Sequence, residues 1–288
     1  GLFDRGIERV DRFIDLYPES YRGYSNRGFY YLGKRMNDEA RNEFDKSLKI
    51  DPLNFRSILP YMYLGDYERG EEVAVRIINS NLSDGNFLQA NVRLARLKII
   101  QGKIKEAIEI AKRAIKYEDT SLSQLIATNL YAITENYWNL DLPMEALPFA
   151  QQAVAVTKGN DLSMRLTALY ILAKTQAGIG DGNAVEKTMQ LMNTILDSDK
   201  ITSPRMKNYI NSVQVWKFWM NRQPLEMLNR IEGFDKTASL RGDFYYIEAL
   251  ANIDNKDYEK ALYIGEFMQD PLINVYDYPF SYPGGFYI

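Results

Sequence analysis

Cysteine and histidine are both absent from this chain. Their absence excludes thiolate and imidazole catalysis, zinc sites built from Cys and His, disulfide bridges and haem attachment through a CxxCH motif. It does not decide the compartment, because cytosolic proteins and secreted ones that fold without disulfides both satisfy it. No apolar run approaches the roughly 18 residues that cross a bilayer, and the first residues lack the basic-then-apolar pattern of a secretory leader. The chain therefore reads as a soluble domain, cytoplasmic or extracytoplasmic. An excess of either charge is also missing: 35 Lys and Arg stand against 38 Asp and Glu, a net charge of -3 that draws neither nucleic acid nor an anionic membrane. Strand-type alternation does not occur through residues 1 to 270, where apolar residues recur at spacings of three and four.

What is there is clearest between Tyr21 and Asn54, YRGYSNRGFYYLGKRMNDEARNEFDKSLKIDPLN. A first amphipathic helix carries Tyr24, Gly28 and Tyr31 on its stripe, a break follows at Gly33 to Asn37, and a second helix carries Ala40, Phe44, Ser47 and Leu48. Neither helix can bury its stripe alone. Gly28 and Ala40 allow two antiparallel backbones to approach, and Tyr24, Tyr31 and Phe44 fill the wedge around that approach. Asp51 and Pro52 end the second helix. This 34-residue unit, with its spacing and its ending IDPLN, resembles the tetratricopeptide repeat. The resemblance implies an all-α fold: a right-handed superhelical solenoid of antiparallel helix pairs whose first helices line a concave surface.

Residues 1 to 20 read as the second helix of such a repeat, because Gly6, Val10, Phe13 and Pro18 fall 34 positions before Ala40, Phe44, Ser47 and Pro52. Either its first helix has been removed, or Leu2 and Phe3 lie against the next repeat as a cap. Phe55 to Leu64 predicts a short first helix bent or shortened by Pro60, and Glu68 to Asn79 its partner, packing through Gly70, Ala74 and Ile77. Regular pairs follow at Asn86 to Gln101 with Ile104 to Tyr117, packing through Ala107, Ala111 and Ala114, and at Ser121 to Asn139 with Met144 to Val156, packing through Ala146, Ala150 and Ala153. Pro148 is tolerated there only in a first turn or as a kink. Leu162 to Ala177 pairs with Asn183 to Leu196, packing through Ala184, Thr188 and Leu191. Met206 to Trp219 with Gln223 to Ile231 is the weaker pair, and Leu240 to Ile253 with Tyr258 to Met268 closes the series. The total is about seven pairs in one repeat domain, residues 1 to 270. The tail from Pro271 to Ile288 holds three Pro, two Gly and six aromatics and is not helical. As a cap it would lie along the last helices; it could also occupy a groove of another copy, through which the chain would self-associate, or mark the edge of an excised segment.

Little in the sequence carries reaction chemistry. Gly178 to Gly182, GIGDG, follows a helix where a nucleotide fold needs a strand, so it reads as a turn rather than a phosphate cradle. Asp254, Asn255 and Asp257 lack the twelve-position loop that calcium requires. Paired carboxylates could make a glycosidase, but Asp and Glu fall in turns and on the outer faces of second helices. No enzyme activity, metal or cofactor is expected.

On the repeat pattern the resemblance supplies, three positions of each first helix face the groove. These are Arg22, Ser25 and Phe29; Gln89, Val92 and Arg96; Thr128, Tyr131 and Glu135; Thr167, Tyr170 and Lys174; Lys207, Ile210 and Gln214; and Asp243, Tyr246 and Leu250. Relatives that clamp a C-terminal carboxylate use Lys and Asn at positions that here hold Ser25, Phe29, Val92 and Arg96, which argues against that clamp. The expected function is a scaffold or adaptor that binds a peptide or partner domain, centred on Arg96, Tyr131, Glu135, Tyr170 and Lys174. The alternative is a regulatory domain of a larger, membrane-linked protein that senses a small ligand or a peptide. Four of these residues also have a plainer role open to them: Tyr131 and Tyr170 as fillers between units, and Glu135 with Lys174 as a bridge across the groove.

Overall fold

The computed structural model describes residues 1–54, 57–80, 83–115, 123–159, 162–198, 204–234 and 241–268. Within these, fifteen helices and no strand are present. Helix α1 (Leu2–Leu16) stands alone. The others alternate as first and second helices: α2 (Tyr21–Gly33) and α3 (Asn37–Ile50), α4 (Ile58–Tyr63) and α5 (Tyr67–Ile78), α6 (Asp84–Ile100) and α7 (Ile104–Ala114), α8 (Ser123–Asn139) and α9 (Pro143–Val156), α10 (Leu162–Ile179) and α11 (Gly182–Ser198), α12 (Pro204–Met220) and α13 (Pro224–Glu232), α14 (Arg241–Asp254) and α15 (Tyr258–Met268). The expected all-α array of seven pairs is therefore present. The aromatic tail lies outside the described residues.

The repeat is most uniform at its internal turn. Two residues before every second helix the backbone takes positive φ, at Arg35, Gly65, Gly102, Asp141, Gly180, Arg222 and Lys256. In each case the next residue's N–H closes back on a carbonyl five residues earlier, as Met36 does on Tyr31 (3.0 Å), Leu142 on Tyr137 (2.9 Å) and Asp257 on Asn252 (2.8 Å). These are Schellman closures, which satisfy the first helix's last carbonyls and reverse the chain within three residues. Three turns add an aspartate cap: Asp66, Asp181 and Asp257 accept from the N–H groups of Arg69, Ala184 and Lys260. The fourth residue of each second helix is then always buried: Ala40, Gly70, Ala107, Ala146, Val185, Met227 and Ala261.

The chain divides into two compact units, Gly1–Ile110 and the residues from Ala111 onward. In the first unit α1 packs on α2, α2 on α3, α4 on α5 and α5 on α6. A Cβ at Gly28 would lie 2.6 Å from the Phe44 ring, so the absent side chain is what admits that ring. Ser25, expected to face the groove, is instead buried and shares a 2.8 Å hydrogen bond with Ser47, because a small hydroxyl fits the same tight seam. The helix expected from Phe55 shortens to α4. Pro60 sits in its first turn, where a missing N–H costs nothing.

In the second unit α8 packs on α9, α9 on α10 and α10 on α11, while α10 also contacts α8 and α12, and α12 contacts α14. First helices thus form a row of their own. Pro148 lies inside α9, which runs on to Val156 with the ring exposed. Of the three residues expected to pack in α11, Thr188 is buried as expected and the other two are displaced by one position. Val185, Met189 and Met192 point inward, Ala184 is half-buried and Leu191 is exposed, because α11 begins at Gly182 and its fourth residue takes the inner place.

Candidate functional site

The row of first helices in the second unit brings four of the expected residues together. Tyr131 and Glu135 are one turn apart on α8; Tyr170 and Lys174 have the same spacing on α10. Tyr131 donates its hydroxyl to the Met164 carbonyl of α10 at 3.2 Å. Lys174 Nζ lies 2.6 Å from Glu135 Oε2, and both side chains are almost wholly buried. Tyr170 is fully buried and its hydroxyl accepts from Trp216 Nε1 at 2.9 Å. Arg96 belongs to α6 of the first unit, where it is half-buried. On its helix Lys98 pairs with Glu71 at 2.8 Å and with Glu106 at 3.4 Å.

Sequence reasoning passed over the aromatic surround. The chain's three tryptophans cluster, with ring centroids 5.4 Å apart for Trp138 and Trp216, 5.8 Å for Trp138 and Trp219, and 5.5 Å for Trp216 and Trp219. Lys174 Nζ stands 5.3 Å from the centroids of both Trp138 and Trp216 and 6.0 Å from that of Tyr246. The rings and the Glu135 carboxylate together compensate an ammonium removed from water. Gly178 belongs to this assembly: it lies in α10, and a Cβ there would come within 2.5 Å of the Trp138 ring. Of the GIGDG run only Gly180 takes the left-handed turn, with φ 84. The one signal in the sequence was that all three tryptophans fall on first helices.

Not every polar atom here is matched. Glu135 Oε1, both side-chain atoms of Asn136 and Trp138 Nε1 are buried without a hydrogen-bond partner. Around this floor Thr128, Thr167, Gln214, Tyr246 and Leu250 are half-exposed. The arrangement offers apolar faces, hydroxyls and amides, the means of recognition; its one carboxylate is already tied to a lysine. Among the described residues no group of three or more Asp or Glu is placed to hold a metal ion. None of their helices is long and apolar enough to cross a membrane.

This architecture of Schellman-closed helix pairs is the tetratricopeptide-repeat fold, and the chain has that fold. A tetratricopeptide-repeat family model matches residues 88–120. Among solved structures, aspartyl phosphate phosphatase F from Bacillus subtilis superposes with a TM-score of 0.63 at 16% identity, over 96% of this chain and 76% of that one. A tetratricopeptide repeat protein from Parabacteroides merdae gives 0.52 at 12% identity, over 86% and 91%. PilW, a widely conserved type IV pilus biogenesis factor, gives 0.50 at 12% identity, over 72% and 90%. No curated protein matches the chain by sequence.

Proposed function

We propose that this protein is a non-enzymatic interaction scaffold that holds a peptide or a partner domain along the first helices α8, α10, α12 and α14. Repeat solenoids recognise partners through the surface their first helices line. The observation that carries the reading here is the Glu135–Lys174 pair set among Trp138, Trp216 and Tyr246. It fixes a rigid, aromatic, charge-balanced floor beneath a half-exposed polar rim. Such a floor costs a ligand little ordering entropy, and the rim's hydroxyls and amides suit a peptide main chain. Tyr131 meets the ligand, Glu135, Tyr170 and Lys174 hold the floor in place, and Arg96, on α6 of the first unit, is a separate candidate contact. The net charge of -3 supports a protein or peptide partner over nucleic acid.

The test is an array of short peptides scored by tryptophan fluorescence, followed by titration of the best binders against Arg96→Ala, Tyr131→Phe and Glu135→Gln. At least one variant is expected to lose tenfold or more in affinity, about 1.4 kcal/mol. Unchanged affinity in all three, with loss instead on substituting exposed second-helix residues such as Glu109 or Lys187, would move the site off the first helices.

A further inference from the structure

The hydroxyls along the first-helix row all turn their protons into the backbone. Thr128 and Thr167, both half-exposed, donate to the carbonyls of Gln124 and Ser163, each at 2.8 Å and one turn back on the same helix. Tyr131, three residues after Thr128 on α8, donates across to the Met164 carbonyl of α10 at 3.2 Å, and Thr167 follows Met164 by three residues. In all three bonds the partner is a carbonyl oxygen, which only accepts, so the direction is forced. Tyr209 of α12 lies 3.0 Å from Thr167 Oγ1, and with the Thr167 proton on the Ser163 carbonyl it is Tyr209 that donates there.

What this strip presents outward is therefore lone pairs, since a hydroxyl has two acceptor sites for its one proton. The charges nearby do not change that polarity. Glu135 and Lys174 neutralise one another beneath the surface. Among the described groove positions of α8, α10, α12 and α14 the remaining charge is Lys207, exposed in the opening turn of α12. Gln214, half-exposed on the same helix, carries an amide of both kinds.

From this polarity we propose that the peptide held by the row brings N–H donors to Thr128, Tyr131 and Thr167, from its extended main chain and from Asn or Gln side chains, and places no carboxylate there. The inference rests on the reading of this row as a peptide surface and adds the chemistry of what fits it. A carboxylate at the strip would give up water and meet only lone pairs, and an unpaired desolvated charge costs far more than a mismatched neutral group. An N–H donor exchanges its bond to water for one to a hydroxyl oxygen already fixed by its own bond to the backbone, so little ordering is lost. Gln against Glu, and Asn against Asp, isolate this difference, because the amide carries two donors and the ionised carboxylate none.

The experiment uses the full chain and short synthetic peptides with capped ends, built from Ser, Gly and Leu with Gln or Asn at alternate positions. Each is compared with an isostere carrying Glu or Asp at those positions, and with a version whose main-chain nitrogens there are methylated. Binding is read from tryptophan fluorescence, since Trp138 and Trp219 are half-exposed on the same row of helices. The amide peptides should bind at least about tenfold more tightly than either counterpart. Thr128→Val with Thr167→Val keeps the side-chain shape at half-exposed positions and removes both hydroxyls; with the fold verified by circular dichroism, it should bring amide and acid peptides to near equality. Lys207→Gln should leave the ranking as it is. Acidic isosteres that match or outbind the amides, an amide preference that persists in the double valine variant, or a ranking reversed by Lys207→Gln would overturn the proposal while leaving the row a peptide surface. Binding by no peptide of any set, or binding lost only on substituting exposed second-helix residues, would overturn the reading of the row itself and the proposal with it.

Discussion

Lys174 and Glu135, 39 residues apart in sequence, meet through a 2.6 Å ion pair whose side chains are only 3% and 9% exposed. A pair this deep is an asymmetric stability element, because its own attraction is largely offset by desolvation, yet either half alone is costly. Lys174→Met is expected to destabilise the second unit by about 3 to 5 kcal/mol. The double variant Glu135→Leu with Lys174→Met should recover a large part of that loss. Chemical denaturation followed by tryptophan fluorescence reads both, since two of the three tryptophans face the Lys174 ammonium. Additive losses would mean that the two side chains act independently.

The seven left-handed turn residues make a second prediction. Glycine adopts positive φ without strain, whereas Arg222 (φ 57) and Lys256 (φ 65) carry a Cβ against the following carbonyl. Arg222→Gly and Lys256→Gly should each stabilise by a few tenths to about 1 kcal/mol, and Gly102→Ala (φ 73) should cost about 1 kcal/mol. Urea midpoints at constant slope are the measure.

Close packing makes the third. Gly28→Ala places a methyl 2.6 Å from the Phe44 ring, and Ala150→Leu forces three further carbon atoms into a position with no exposed surface. Each should cost about 1 to 3 kcal/mol through overpacking. Gly178→Ala should do the same while shifting the tryptophan emission, because the ring it strikes is Trp138. An emission spectrum identical to the parent's would show that the ring yields without leaving its cluster.

Acidification should loosen the first unit. Burial alone would raise the pKa of Glu71, but hydrogen bonds from Lys98 and Gln101 and the lysine charge outweigh it and lower the value. A carboxylate depressed in the folded state contributes stability that is fully present above its unfolded pKa of about 4.3 and is lost as pH falls through the folded value. The melting temperature should therefore drop as pH falls below about 4, and Glu71→Gln should flatten that part of the profile.

The proposed peptide surface over Tyr131 calls for more selective variants than alanine. Tyr170 is fully buried and bonded to Trp216, so Tyr170→Ala would unpack the core and cost about 3 to 5 kcal/mol, as large aromatic truncations do. Tyr170→Phe removes only the hydroxyl that accepts from Trp216 Nε1. It should lower stability by about 1 to 3 kcal/mol because that indole N–H is then buried without an acceptor. Equal stability of Tyr170→Phe and the parent, measured by denaturation, would show that the hydroxyl contributes nothing there.

Much of this molecule is written locally. The period of three and four, the small residue four places into nearly every second helix and the turn signals between them suffice to place fifteen helices, because a helix face and a Schellman turn depend on residues within a few positions of one another. Register failed where the local signal was thin. In α11 Ala184 looked like its counterparts in other repeats, yet the inner place went to Val185.

The depth of the first-helix row was decided by tertiary structure. The pairing of Glu135 with Lys174 was open in the sequence as a weak surface bridge across the groove, but only the stacking of α10 against α8 and α12 buries it and brings the ammonium beneath Trp138 and Trp216. Ser25 likewise left the expected groove for a seam with Ser47, 22 residues away. Periodicity specifies which side of a helix faces inward. Which neighbour it then meets depends on how successive pairs stack, and that is summed over contacts no single repeat contains.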